Sequence, residues 1–420
     1  MGLVVQKYGG ASLATPEKML YVADKIIRQK KKGNDVVVVV SAPGDTTDNL
    51  VDFAFKLTKE PVDREMDMLL STGEQQSIAL ISMALMDRGY DAISFTGHQV
   101  GIITDKEHTK ARIKKIKGVD KIKRALKKGK IVVVAGFQGV DEEQNITTLG
   151  RGGSDLTAVA LGYSLKADVC EFLKDVEGVF TANPKIVPDA RKVNSLSYDE
   201  MLELASSGAQ VLYSRSVEFA KNYGVVLHVR GTFGEKNGTF IKKEEKKMEK
   251  TVVSGITYNK SEAKVTIKNV PDRPGVASLI FGEMADAGIN IDIIIQNVSE
   301  KGSTDISFTI VRKDVVKASK LLSKIVKKVK AKGFAMDEKI GKVSAVGVGM
   351  RTHTGIASKM FKALAEAKVN IEMISTSEIK ISCVVSEKDT EKAVKALHSA
   401  FGLGRTKKAD KARISAKKKK

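Results

Sequence analysis

Tryptophan is missing from this 420-residue chain, and aromatic residues make up only 5% of it. Cysteine occurs twice, at Cys170 and Cys383. Two cysteines cannot make a disulfide framework, so a reducing compartment is expected. Proline is scarce, at 7 residues, which excludes a proline-rich linker or a collagen-like protein. No aliphatic run is longer than Val36 to Val40, far short of the roughly 20 residues a membrane helix needs. The first residues, Leu3-Val4-Val5, read as a strand and lack the charged lead and cleavage site of a secretory signal. A soluble, cytoplasmic protein is expected. With 42% apolar residues wholesale disorder is excluded, and the length suggests about three domains.

What the chain has in excess is positive charge: 71 Lys and Arg against 50 Asp and Glu, a net of +21. Residues 405–420 carry nine Lys/Arg and one Asp, and residues 106–130 carry twelve Lys/Arg against Glu107 and Asp120. Neither stretch has the interleaved aromatics on which bases stack. They read as a solvated basic tail, disordered over 403–420, and a solvated helix face, so no nucleic-acid partner is expected.

The first half alternates strands and helices. Thr15-Pro16 is a helix start, a hydroxyl cap followed by proline at the first helical position. Met19, Leu20, Ala23, Ile26 and Ile27 then recur at helical spacing. Asp35 to Ser41 is a valine run, the pattern of a strand buried on both faces of a parallel sheet. The cycle repeats: helix over 75–88, strand over 92–95, strand over 131–136, helix over 156–165, strand over 169–173. Ser197 and Glu200 form a capping box before a helix through Leu204. The pattern implies an α/β fold with an open, mostly parallel sheet between helices over 1–240, whose ligands sit beyond the carboxyl ends of the strands. The loops to inspect follow Gln6, Val40, Gly136, Thr148 and Leu173.

The second half differs. Residues 241–260, opening on IKKEEKKMEK, read as a charged linker. Beyond them Phe281, Ala285, Asn290 and Ile291 recur eighty positions later as Phe361, Ala365, Asn370 and Ile371, and GVAS from Gly275 recurs as GIAS from Gly355. Each copy reads as strand, glycine turn, helix, strand, strand, helix, strand, a ferredoxin-like βαββαβ unit, over 261–335 and 336–402. Neither holds a cluster of groups suited to chemistry, so the pair reads as a ligand sensor.

Two glycine loops could carry chemistry. KYGGAS from Lys7 joins a strand to a helix, where paired glycines let backbone N–H groups approach a phosphate and Lys7 could neutralise a transferring phosphoryl group. LGRGGSD from Leu149 sets Arg151 between glycines, with room to fork onto a carboxylate or phosphate. Two further polar loops follow buried strands, at 41–47 and 174–184. A P-loop motif is absent, the dinucleotide fingerprint is absent, and the five histidines lie scattered, so no zinc site or other protein-held metal is expected.

Taken in order, KYGGAS from Lys7, SAPGDTTDNL from Ser41, TTLGRGGSD from Thr147 and KDVEGVFTANP from Lys174, with NIDIIIQNVS from Asn290 and NIEMISTSEIKIS from Asn370, resemble the bacterial-type aspartate kinases. The resemblance runs from Leu3 to about Phe401. It implies an amino-acid-kinase catalytic domain followed by two ACT domains. It implies transfer of the ATP γ-phosphate, with Mg²⁺, to the β-carboxylate of L-aspartate, the first step toward lysine, threonine, methionine and diaminopimelate. By the same resemblance Lys7, Arg151 and Asp155 are catalytic, with Lys7, Gly9, Gly10 and Ser12 around the phosphates. Ser41, Thr47, Glu74 and the Arg151, Gly152, Gly153, Ser154 turn bind aspartate, Arg151 at its α-carboxylate, Glu74 and Asp155 at its ammonium group. Lys174, Asp175 and the loop Val179, Phe180, Thr181, Ala182, Asn183, Pro184 hold the nucleotide. Lysine, threonine or both are expected as feedback effectors on the ACT pair. Asp272, Pro274, Gly275, Val276, Asn290, Ile291, Asp292, Gln296 and Asn297 of the first copy would contribute. So would Thr354, Gly355, Ile356, Asn370, Ile371, Glu372, Ser375 and Glu378 of the second. A homo-oligomer or an α₂β₂ assembly is implied, the small subunit beginning at Met248. The chain departs from the family pattern at Ala11, Lys174, Glu177, Asn183 and Gln210, mostly on the nucleotide side. A sister kinase for another acceptor and a non-catalytic amino-acid sensor are the competing readings.

Overall fold

The computed structural model describes residues 2–234, 237–244, 252–297 and 302–404. The chain divides into two compact units: residues 1–179, 192–206 and 210–248 form the first, and 180–191, 207–209 and 249–420 the second. No helix among the described residues is long and apolar enough to cross a membrane.

The first unit runs β1 (Leu3–Tyr8), α1 (Pro16–Lys31), β2 (Asp35–Val40), α2 (Thr46–Leu57), α3 (Asp63–Asp87), β3 (Ala92–Phe95), β4 (Ile102–Thr104), β5 (Ile113–Ile116), α4 (Val119–Lys127), β6 (Ile131–Ala135), β7 (Gln138–Val140), β8 (Ile146–Thr148), α5 (Gly153–Leu165), β9 (Val169–Lys174), β10 (Ser195–Ser197), α6 (Tyr198–Ser206), α7 (Ser214–Tyr223), β11 (Leu227–Gly231) and β12 (Thr239–Lys242). Eight of these strands form one sheet in the order β10-β12-β11-β9-β1-β2-β6-β3. Every pairing is parallel except β11 with β12. The valine run of β2 is fully buried, and with β1, β6 and α1 it makes the main core. The order of strand addition reverses at β1, which pairs parallel with β2 on one side and with β9 on the other. Such switch points leave a crevice at the strand ends. Lys7 aligns there with Val39 and Phe172.

Local chemistry explains the helix ends. Thr15 Oγ1 accepts from Lys18 N–H at the start of α1, with Pro16 at the first position. Ser197 and Glu200 exchange bonds at the start of α6, Ser197 N–H to Glu200 Oε2 at 2.9 Å and Glu200 N–H to Ser197 Oγ at 3.2 Å. Helix α3 begins twelve residues before the expected position 75. Gly73, which would weaken a free helix, sits mid-helix because a Cβ there would lie 2.7 Å from the Ala42 side chain. The basic stretch expected as one helix face holds β5 as well as α4. With β4, β7 and β8, β5 forms a small second sheet.

The second unit holds β13 (Gly255–Asn259), β14 (Glu262–Pro271), α8 (Val276–Asp286), β15 (Ile291–Gln296), β16 (Ser303–Val311), α9 (Val315–Val329), β17 (Gly333–Asp337), β18 (Ile340–Val346), α10 (Ile356–Glu366), β19 (Met373–Thr376), β20 (Lys380–Ser386) and α11 (Thr390–Ala400). The first repeat closes on itself as the sheet β15-β16-β14-β17. The second does not: its sheet is β13-β18-β20-β19. Its fourth strand comes from before the first repeat, inside the segment expected as linker, and among the described residues no strand follows α11. The reason is burial. Ile256 of β13 packs in one core with Val343, Ile381 and Val394, and β13 pairs antiparallel with β18 from Gly255–Val346 to Asn259–Lys342. The expected linker also includes the last residues of β12. Met248 and the basic tail from 405 lie outside the described residues.

Candidate active site

The carboxyl ends of β1, β2, β8 and β9 bring the polar loops together in the first unit. Lys7, at the end of β1, is 6% exposed. Its Nζ lies 2.7 Å from Asp155 Oδ1, and Lys174 Nζ, at the end of β9, donates to Asp155 Oδ2 at 2.9 Å. Asp155 stands in the first turn of α5 and is 1% exposed. Burial would push its carboxyl up, but Lys174 and Lys7 hold it below the usual carboxylate range. For Lys7 burial outweighs Asp155 and lowers the ammonium pKa from its ordinary value. One carboxylate therefore fixes two ammonium groups at adjacent strand ends.

The loop after β1 closes against the loop after β2. Gly44 N–H donates to Gly10 O at 3.0 Å, and a Cβ on Gly10 would lie 2.7 Å from Ala42 O, so only glycine fits. A Cβ on Gly9 would stand 3.7 Å from Lys7 Nζ, in the space over the ammonium. Ser12 is buried, and its Oγ lies 2.7 Å from Thr232 Oγ1. Glu74, on α3, accepts from Ala42 N–H at 3.0 Å through Oε1, while its buried Oε2 has no hydrogen-bond partner. Burial raises its carboxyl to about 7, the Ala42 N–H offsetting part of the effect. Ser41 is half-buried and Thr47 stands in the first turn of α2. Arg151 is exposed in the turn before α5, with Gly152 at φ 74° beneath Tyr213, where a Cβ would lie 2.4 Å from the ring.

Two lysines held by a buried acid beside a glycine cradle, a part-satisfied buried glutamate and an exposed arginine suit an anionic donor and a zwitterionic acceptor. The amino acid kinase family model matches residues 2–231, and an ACT domain model matches 257–325 and 343–401. An aspartate kinase of Pseudomonas putida is 51% identical over 404 residues, spanning 96% of this chain and 98% of that protein. The chain belongs to the aspartate kinase family. The crystal structure of an aspartate kinase from Synechocystis is 45% identical, with a TM-score of 0.54 over 96% of this chain and 70% of that one. That of the Clostridium acetobutylicum aspartate kinase is 25% identical, with a TM-score of 0.77 over 95% and 100%.

The expected site residues of this kinase fall in both compact units. Lys7, Gly9, Gly10, Ser12, Ser41, Glu74, Asp155 and Lys174 line neighbouring strand ends. Asp155, expected at the ammonium group of aspartate, faces the two lysines with its oxygens, whereas the buried Glu74 Oε2 has no hydrogen-bond partner. Gly153 and Ser154 are buried, and Ser154 packs on Gly136, where a Cβ would meet it at 2.6 Å. Asp175 is exposed and Val179 buried. The segment from Phe180 belongs to the second unit. There Thr181 is 1% exposed, and its Oγ1 lies 3.0 Å from His398 Nε2 and takes Arg191 N–H at 2.9 Å. Ala182 is buried in the core around Ile256, while Asn183 and Pro184 are exposed. The side chains of Thr181 and Ala182 are thus already occupied. The sequence did not point to Thr232 or to Asp67 of α3. The available signal for Asp67 was an acid on the buried face of a helix, seven residues before Glu74.

Proposed function

We propose that the chain works as an ATP-dependent kinase of L-aspartate, with the lysine–carboxylate–lysine bridge at Asp155 holding the phosphoryl side and Glu74 and Arg151 holding the acceptor. The bridge is the observation that carries this reading: it presents two cations at the ends of β1 and β9, beside the glycine loop. Lys7 and Lys174 neutralise charge on the phosphates, and the Gly9-Gly10 backbone lets them come close. Arg151 forks onto the α-carboxylate and Glu74 Oε2 takes the ammonium group. The attacking β-carboxylate is already an anion, so no general base is required, and catalysis rests on alignment and charge neutralisation.

For Mg²⁺ the described residues offer no group of three or more His, Cys, Asp or Glu side chains that could hold an ion. Asp155 is engaged by lysines. The ion fits as a companion of the nucleotide, held by phosphate oxygens and water, where it would supply further charge neutralisation. Formation of aspartyl-hydroxamate from ATP, Mg²⁺ and L-aspartate tests the function. Turnover is expected with aspartate and not with glutamate, N-acetylglutamate or uridylate; turnover with one of those alone sinks the reading.

The ACT pair serves as the regulatory part, with lysine, threonine or both as effectors. Gly275 and Gly355 open α8 and α10 in the same left-handed conformation, at φ 91° and 82°. Asp272, Pro274, Asn290, Asp292, Gln296 and Asn297 are exposed around the first such turn and the strand β15. Thr354, Asn370, Glu372 and Glu378 are exposed around the second, with Ser375 half-buried. Both β15 and β19 are sheet edges. Each shows an exposed isoleucine, Ile294 and Ile374, eighty positions apart. Open edges with matching apolar residues favour pairing with another copy, as a homodimer or as α₂β₂ with a product from Met248. Such a product would keep β13, so the second ACT sheet would be complete in it. A cytoplasmic location suits its substrates.

A further inference from the structure

The turn that presents Arg151 is held by residues that no motif marks. Gly150 and Gly152 are left-handed, at φ 72° and 74°, and Gly153 N–H donates to Gly150 O at 2.9 Å. Arg151 projects from this turn exposed, and no acid among the described residues pairs with it. On one side, Asp67 of α3 is fully buried. It accepts Thr148 Oγ1 at 2.5 Å and Thr109 N–H at 3.0 Å, and His108 Nδ1 lies 2.6 Å away. On the other side, Arg215 of α7 donates to Leu149 O at 2.8 Å and to Ala111 O at 2.7 Å. Ala111 N–H donates to Thr148 O at 2.9 Å, and a Cβ on Gly150 would lie 2.9 Å from Thr109 O. The turn therefore rests on the segment 108–111, and both are clamped between a buried carboxylate and a guanidinium. A buried charge with its partners in place has one low-energy arrangement, because losing any partner leaves an uncompensated polar group.

We propose that Asp67 and Arg215 are positioning residues for acceptor recognition, fixing the turn so that Arg151 meets the α-carboxylate with both N–H groups aligned. This rests on the assignment of Arg151 to the acceptor. Asp67 precedes Glu74 by seven residues, about two turns of α3. The same helix thus carries the acid facing the ammonium group and the anchor of the arginine facing the carboxylate. A rigid helix sets the separation of the two charges that grip the zwitterion.

Steady-state kinetics of the full chain test the clamp. Asp67→Asn and Arg215→Lys should each raise the KM for aspartate about tenfold or more, with the KM for ATP and kcat within about twofold of the parent. In an Arg151→Ala background the same changes should leave the aspartate KM where Arg151→Ala alone puts it. A purely structural role would lower the melting temperature without this split. An unchanged aspartate KM, or an equal rise in the Arg151→Ala background, overturns the clamp and leaves the assignment of Arg151 standing. If Arg151→Ala itself leaves the aspartate KM unchanged, the acceptor assignment falls and the clamp falls with it. Should Asp67→Asn fail to fold, Arg215→Lys reads the same turn from its other side.

Discussion

Two buried glutamates show how the same side chain is set in opposite directions by its surroundings. Glu171 accepts from Gln6 and from Arg230, and it lies beside His228. Burial pushes its carboxyl up, but these partners bring it down to about 2. Its contribution to stability is present above the ordinary 4.5 and is lost as pH falls toward 2. Glu74 has one N–H donor and is raised to about 7. Between pH 4.5 and 7 the folded chain holds a proton the unfolded chain has lost, so stability falls as pH rises through that window. Above pH 7 the buried charge costs on the order of 3 kcal/mol. Glu74→Gln should therefore melt higher than the parent at pH 8 and close to it at pH 4.5; an equal difference at both pH values contradicts the raised carboxyl. The kinetic roles separate at this scale too. Arg151→Ala should raise the aspartate KM strongly, whereas Lys7→Ala should cut kcat with little change in KM, because Lys7 matters mostly as charge develops on the transferring phosphoryl group. Near-normal turnover of Lys7→Ala would remove it from the phosphoryl site.

At the scale of elements, β13 is the segment whose meaning changed most. A linker residue can be truncated at almost no cost, whereas a core residue leaves a cavity. Ile256 is 3% exposed. Ile256→Ala should therefore destabilise the second unit by roughly 2–4 kcal/mol in denaturant unfolding, as buried Ile→Ala changes do. An effect within about 0.5 kcal/mol would restore the linker reading. Helix α3 makes the complementary point. Its local sequence is no strong helix signal around Gly73, yet it runs unbroken from Asp63 because Met66 and Leu70 pack on Ala54 and partly buried Phe137. Tertiary burial supplies most of a helix's stability, and here it overrides a weak local start.

For the whole molecule the question is how the ACT pair speaks to the kinase unit. An effector shifts activity only by binding an inactive arrangement better than an active one. Gln296 ends the edge strand β15 and Asn297 follows it, and Ser375 sits on the edge strand β19. By the effector role proposed above, Gln296→Ala or Ser375→Ala should relieve inhibition by lysine, threonine or both while leaving uninhibited kcat near the parental value. Assays of initial rate against effector concentration check this; loss of basal kcat together with inhibition would assign those positions to folding. The chain itself links the parts: the loop after β9 begins in the first unit at Asp175 and enters the second at Phe180, where Thr181 is bonded to Arg191 and near His398.

Much of this protein was readable from local pattern. The valine run of β2, the Thr15 and Ser197 caps, the glycine loops and the eighty-residue repeat are short-range features, and hydrophobic period and cap chemistry specify them within a few residues. The places of Lys7, Arg151 and Lys174 in the fold were readable for the same reason, each at the end of a legible strand or between glycines. Three things were decided only when distant segments met. Asp155 became the bridge between two lysines because α5 delivers it to the ends of β1 and β9. Asp67, Arg215 and Thr232 found partners 41 to 220 positions away, a separation at which no periodicity operates. The second ACT sheet took β13 from upstream of the first, since a strand's place is set by which open edge and apolar face it can cover, and that depends on where the chain has already been.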